Sequence, residues 1–152
     1  MIRLRVPGLL QYRDVAVRTV AAACKLVRNS GAAVDLAEST DTRRLNLSDE
    51  FDAGMVSAFS EVFNNIAKHA YAGGPHGEVD IQMQPEPTGM LLRVEDQGVS
   101  FDISQVREPD LDTLPEQGLG IFIINSLVDE FTYEPGPPNV WTLKKRRAPE
   151  SD

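Results

Sequence analysis

Val79-Asp80-Ile81-Gln82-Met83-Gln84-Pro85-Glu86-Pro87-Thr88-Gly89-Met90-Leu91-Leu92-Arg93-Val94-Glu95 is the stretch whose reading decides the fold. Val79, Ile81 and Met83 alternate with polar residues, the period of a strand with one buried face. Pro85 to Gly89 reads as a turn and Met90 to Glu95 as a second strand, so the segment is a β-hairpin. Upstream of it, Ser48 followed by Asp49-Glu50 marks a helix start, with acids in the first turn complementing the helix dipole. Phe51, Met55, Phe59, Val62, Ile66 and Ala70 form the apolar stripe of that helix to about Tyr71, and Gly73-Gly74-Pro75 stops it. Residues 31–47 read as a connection. Before it, Tyr12, Val15, Ala16, Val20, Ala23, Leu26 and Val27 recur at helical spacing between Gln11 and about Asn29. Ile2, Leu4 and Val6 alternate with Arg3 and Arg5 in a short first strand, ended by Pro7-Gly8.

Downstream, residues 99–117 carry two Pro and five acidic residues with little periodicity, which predicts a mobile loop. A helix follows from about Gly118 to Asp129. Phe131 to Tyr133 and Val140 to Leu143 then form a last hairpin around Glu134-Pro135-Gly136-Pro137-Pro138. The order predicts an α+β, two-layer sandwich: a mixed, mostly antiparallel sheet with helices on one face. No repeat or linker divides the chain, so residues 1–147 read as one domain and 148–152 as a C-terminal tail.

Bulk properties narrow the function. The 152 residues suffice for one hydrophobic core, and 41% apolar with 25% charged residues is ordinary for a globular protein. A net charge of −8 opposes direct nucleic-acid binding. Lys144-Lys145-Arg146-Arg147 is basic, but four charges after a strand read as a solvated end. The single cysteine, Cys24, lies among Ala, Val and Leu and reads as a buried small apolar residue. With one Cys and two His, a structural zinc site is not expected. The N-terminus lacks a signal-type apolar core, and no apolar run is long enough to span a bilayer, so a cytoplasmic location is expected.

Three segments carry chemistry together. In Glu61-Val62-Phe63-Asn64-Asn65-Ile66-Ala67-Lys68-His69-Ala70-Tyr71, Glu61 and Asn65 are four apart and share a helix face beside the apolar stripe. A carboxylate there can take a hydroxyl proton, and an amide oxygen can give Mg²⁺ one ligand. In Val94-Glu95-Asp96-Gln97-Gly98, Asp96 can accept from an adenine amine while Gly98 lets backbone approach the ring. In Glu116-Gln117-Gly118-Leu119-Gly120-Ile121, glycines open a helix whose free N–H groups can bind phosphate. Each segment alone is weak, with solvated helix residues or plain turns as the ordinary reading.

In this order and spacing the segments resemble the N box and two glycine boxes of the Bergerat-fold ATPases. Within that superfamily the run from Glu61 to Tyr71, and Gly118-Leu119-Gly120 with its apolar helix, resemble the anti-sigma-factor serine/threonine kinases. The resemblance covers the chain from its first strand to Trp141-Thr142-Leu143. It implies an ATP and Mg²⁺ site under the 99–117 loop. Glu61 would be the general base and Asn65 the Mg²⁺ ligand. Asn64, Asn65, Lys68, His69, Asp96, Gly98, Gly118, Leu119 and Gly120 would bind nucleotide. The implied partners are an anti-sigma-factor antagonist as phosphoacceptor and a sigma factor that the protein sequesters, with the protein itself a homodimer. Two departures stand out: Ser100 replaces a glycine common in relatives, and Pro115-Glu116-Gln117 lacks an arginine that some carry. The missing arginine favours a second reading, an ATP-holding partner-switch module with little kinase activity. A detached histidine-kinase catalytic domain is a third reading, and a small α+β protein without nucleotide is a fourth.

Overall fold

The computed structural model describes residues 1–28, 49–103 and 119–149. Strand β1 (Ile2–Pro7) leads through a 3₁₀ turn at Leu10–Tyr12 into helix α1 (Arg13–Arg28). Helix α2 (Glu50–Asn65) continues without a break into a π-helical turn, Ile66–Ala70. Strands β2 (Glu78–Glu86) and β3 (Gly89–Asp96) form the expected hairpin, but its strands extend to a two-residue turn at Pro87-Thr88. Helix α3 (Leu119–Leu127) precedes the second hairpin, β4 (Glu130–Glu134) and β5 (Asn139–Arg146).

The five strands lie in the order β1-β2-β3-β5-β4, and every ladder among the described residues is antiparallel. The expected α+β architecture with helices on one face is therefore present, in its fully antiparallel form. The last strand is inserted between β3 and β4. This places the row Val6, Val79, Asp96, Asn139 across the sheet. Next to it runs Leu4, Ile81, Val94, Trp141, Tyr133, and then Ile2, Met83, Leu92, Leu143, Phe131. These rows face the helices, where Met55, Phe59, Val62, Phe63 and Ile66 are fully buried. Full burial of each such side chain stabilises the fold by about 1.5–3 kcal/mol. The opposite face is charged: Arg3 and Arg5 both reach Asp80, at 2.6 and 2.7 Å, and Arg93 pairs with Glu95.

Several expectations need correction. The cap of α2 is Asp49, whose carboxylate accepts from Asp52 N at 3.1 Å; Ser48 lies outside the described residues. On α1 the buried face holds Ala16, Val17, Val20, Ala21, Ala23, Cys24 and Val27, while Val15 and Leu26 are half exposed. Small residues on that face let α1 approach its neighbours closely, and this turns the larger Val15 and Leu26 outward. The basic C-terminal run is not a solvated end. Lys144, Lys145 and Arg146 belong to β5, and Lys145 Nζ donates to Leu127 O at 2.6 Å, capping the last turn of α3. Arg147 donates to Asp49 Oδ2 at 2.8 Å and stacks over Phe51, tying the end of β5 to the start of α2. Most of the loop expected at 99–117, and Gly118, lie outside the described residues.

Candidate nucleotide site

Glu61 and Asn65 leave the last two turns of α2 on the side that meets α3. The contact is close because residue 120 is glycine: a methyl group there would lie 2.9 Å from Glu61 Oε2 and 3.3 Å from Asn65 Nδ2. Among the described residues Asn65 Nδ2 is buried and has no hydrogen-bond partner. Leu119 and Gly120 open the described part of α3. The first and third sequence segments thus meet, with a carboxylate, an unsatisfied amide nitrogen and a glycine of α3 side by side.

The second segment is joined to the first by the π turn. Val99 N donates to Ala70 O at 2.8 Å, and a Cβ at Gly98 would lie 2.4 Å from that same oxygen, so only glycine allows this approach. Tyr71 fixes the junction. Its hydroxyl donates to Glu78 O and accepts from Gln97 N, each at 2.9 Å, and its ring packs against Gly8 and Gly77. Burial pushes the Tyr71 phenol above its ordinary value of 10, with Asp96 and Glu78 adding to the rise against the hydrogen bond from Gln97. Tyr71→Phe should destabilise the fold by about 1–3 kcal/mol at neutral pH, since it leaves two backbone groups unpaired. A raised phenol contributes stability that is complete below pH 10 and lost above it. The gap between wild type and Tyr71→Phe in urea unfolding should therefore narrow from pH 10 upward. A gap that widens there would show the phenol ionising more easily in the fold.

Asp96 ends β3 on the helix-facing side of the sheet and is 1% exposed. Its Oδ1 accepts from Gly98 N at 2.9 Å and from Asn139 Nδ2 at 2.8 Å, and its Oδ2 accepts from Trp141 Nε1 at 3.1 Å. Asn139 and Trp141 were not among the sequence candidates. The signal was their place in β5: Asn139 is directly opposite Asp96 and Trp141 is two residues on, but only the β3–β5 pairing reveals it. Of the other candidates, Asn64 Oδ1 accepts from Arg13 at 3.0 Å, so this side chain is engaged with α1. Lys68 is exposed and lines a cleft of about 410 Å³ with Leu10, Arg13, Asp14, Val17 and Ser60. That cleft lies between α1 and α2 and is lined by none of Glu61, Asn65, Asp96 or Gly120. His69 is exposed on the π turn. Among the described residues no group of three or more His, Cys, Asp or Glu side chains is arranged to hold a metal ion, and no helix is long and apolar enough to cross a membrane.

The chain is 36% identical over 84 residues to the serine-protein kinase RsbW of Bacillus cereus (strain AH820), which covers 50% of this chain and 52% of that protein. It is 34% identical over 84 residues, with the same coverage, to the serine-protein kinase RsbW of Bacillus thuringiensis (strain Al Hakam). The chain spans about half the length of these curated relatives. Among solved structures, the histidine kinase domain from the Erythrobacter litoralis EL346 blue-light activated histidine kinase shares the fold. Its TM-score is 0.50 at 20% identity, covering 64% of this chain and 45% of that one. The family described as the histidine kinase-like ATPase domain matches residues 16–144. A match over that span decides the matter: the chain belongs to the histidine kinase-like ATPase domain family.

Proposed function

We propose that this chain is a serine/threonine protein kinase of the anti-sigma-factor type, which binds Mg·ATP, phosphorylates an anti-sigma-factor antagonist and sequesters a sigma factor. The observation that carries the reading is the contact of Glu61 and Asn65 with the glycine-opened start of α3, joined through the π turn to the buried carboxylate of Asp96. The similarity to serine-protein kinases adds the reaction class.

In this reading Asp96 accepts from the adenine amine and Gly98 lets the backbone close on the ring. The first-turn N–H groups at Leu119 and Gly120, with Gly118 before them, receive phosphate oxygens. Asn64, Lys68 and His69 are further candidate nucleotide contacts, of which Asn64 would first have to leave Arg13 and Lys68 the cleft between α1 and α2. Glu61 accepts the proton of the substrate hydroxyl as its oxygen bonds to the γ-phosphorus and the bond to the ADP oxygen breaks. The donor set suits Mg²⁺: one amide oxygen from Asn65, with phosphate oxygens and water as the remaining ligands, needs no carboxylate cluster. Magnesium bound there would neutralise phosphate charge. The net charge of −8 favours a protein partner with a basic surface over nucleic acid, and a homodimeric, cytoplasmic protein fits the same reading.

Titration with Mg·ATP, followed by incubation with antagonist-type domains of the native host and γ-labelled ATP, tests the proposal. Saturable binding and label on one Ser or Thr are expected. Absence of binding at millimolar ATP overturns it. Binding without transfer supports the partner-switch module instead, to which the Pro115-Glu116-Gln117 sequence already points.

A further inference from the structure

Asp96 is held by three hydrogen-bond donors, Gly98 N, Asn139 Nδ2 and Trp141 Nε1. Asn139, its direct cross-strand partner, is fully buried and uses every bonding capacity of its amide. Nδ2 donates to Asp96 Oδ1 at 2.8 Å and to Gly98 O at 3.0 Å, while Oδ1 accepts from Gly136 N at 2.9 Å and from the Ser100 hydroxyl. These partners fix which way the amide points. Turned over, its oxygen would face the Asp96 carboxylate and the Gly98 carbonyl, two acceptors. Ser100 therefore has a task here: its hydroxyl feeds the amide that orients Asp96. Trp141 holds the other carboxylate oxygen, and its indole is itself fixed by stacking on Phe101 (centroids 5.6 Å apart, planes at 17°) and by Tyr133 (4.5 Å, 60°).

A carboxylate offers about four acceptor positions, two on each oxygen. Gly98 N and Asn139 Nδ2 occupy both on Oδ1, and Trp141 Nε1 occupies one on Oδ2. One position on Oδ2 is left. We propose that Asn139 and Trp141, with Ser100 behind Asn139, are positioning residues that aim this single acceptor at one exocyclic amine of the nucleobase, making the site selective for an amino-purine over an oxo-purine. The inference rests on the ATP-binding reading and adds to it the residues that set base selectivity.

The test compares the affinities of ATP and inosine triphosphate, which carries an oxygen where ATP carries the amine, in the presence of Mg²⁺. The proteins are the full chain and its Trp141→Phe, Ser100→Gly and Asn139→Ala variants, each checked for folding by circular dichroism. Wild type should prefer ATP by about 10- to 150-fold, the range of one hydrogen bond to a charged group. Trp141→Phe keeps an aromatic ring in the stack and removes only the N–H, so it serves even where Asn139→Ala fails to fold. It should cut the preference at least fivefold, chiefly by weakening ATP, with Ser100→Gly causing a smaller fall in the same direction. A merely structural role would weaken both nucleotides alike and leave the ratio in place; that result overturns the inference. Equal wild-type affinity for the two nucleotides overturns it too, while ATP binding itself stands. Failure of wild type to bind either nucleotide removes the kinase reading and this inference with it.

Discussion

Glu61→Ala is expected to slow phosphate transfer by about 10²- to 10⁴-fold, the usual contribution of a positioned general base, while ATP affinity changes little. The two effects separate if, as proposed, Glu61 acts on the acceptor hydroxyl and not on the nucleotide. Glu61 is only partly buried at the end of α2, and its Oε2 faces the surface that Gly120 leaves open. Removing the side chain opens space next to Asn65 without unpairing any group that holds Asp96. Glu61→Gln sharpens the test, because it keeps the shape and the contact with Gly120 but cannot take the proton. Single-turnover transfer with saturating Mg·ATP should be slow in both variants, and equilibrium titration should give near wild-type affinity in both. Transfer at the wild-type rate by Glu61→Gln would assign the proton to another group. A loss of ATP affinity matching the loss of rate would make Glu61 a nucleotide-binding residue.

Much of the fold was legible because its periods are strong. Val79, Ile81 and Met83 alternate cleanly, and the stripe from Phe51 to Ile66 has one wide apolar face, so a hairpin and a covering helix follow from residue types alone. Cys24 read as core because it lies in a stretch rich in Ala, Val and Leu, and it is fully buried. The face of α1 was harder: Ala16, Val20, Ala23 and Val27 lie on it as expected, but so do Val17 and Ala21, while Val15 and Leu26 look equally hydrophobic and lie outside. The basic run at 144–147 misled for a related reason. Lysine and arginine read as solvent-facing, yet Lys145 spends its charge on the carbonyl end of α3 and Arg147 on Asp49. Glu61, Asn65, Asp96, Gly98 and Gly120 were named as candidates from short local segments, and the fold brings Glu61 and Asn65 against Gly120 and Gly98 against Ala70. Asn139 and Trp141 could not be named in this way, because β5 pairs with β3 and not only with its hairpin partner β4. A tryptophan in a strand normally signals packing; its N–H on a buried carboxylate appears only when the register is known.

Asp96→Asn should have the largest effect on nucleotide recognition of any isosteric change in the chain. The substitution keeps the volume and removes one charge. Its amide oxygen must take the place of Oδ1, since Gly98 N and Asn139 Nδ2 both donate there. The new NH₂ group is then forced onto the Oδ2 side, where Trp141 Nε1 already presents a donor at 3.1 Å. Two buried donors face each other, which costs about 1–3 kcal/mol of stability. In the proposed binding mode the same NH₂ group faces the nucleobase, so the amine of ATP would meet a donor in place of a charged acceptor. Loss of one charge-assisted hydrogen bond predicts ATP binding weaker by about 10- to 150-fold, and the added donor–donor contact pushes toward the upper end. Inosine triphosphate should move the other way, because its oxygen can accept from the new amide. The variant should therefore invert the order of the two nucleotides, which a loss of folding alone cannot do. Thermal unfolding gives the stability term and paired titrations give the inversion. Retention of wild-type ATP affinity in a folded Asp96→Asn protein would place the base elsewhere in the fold.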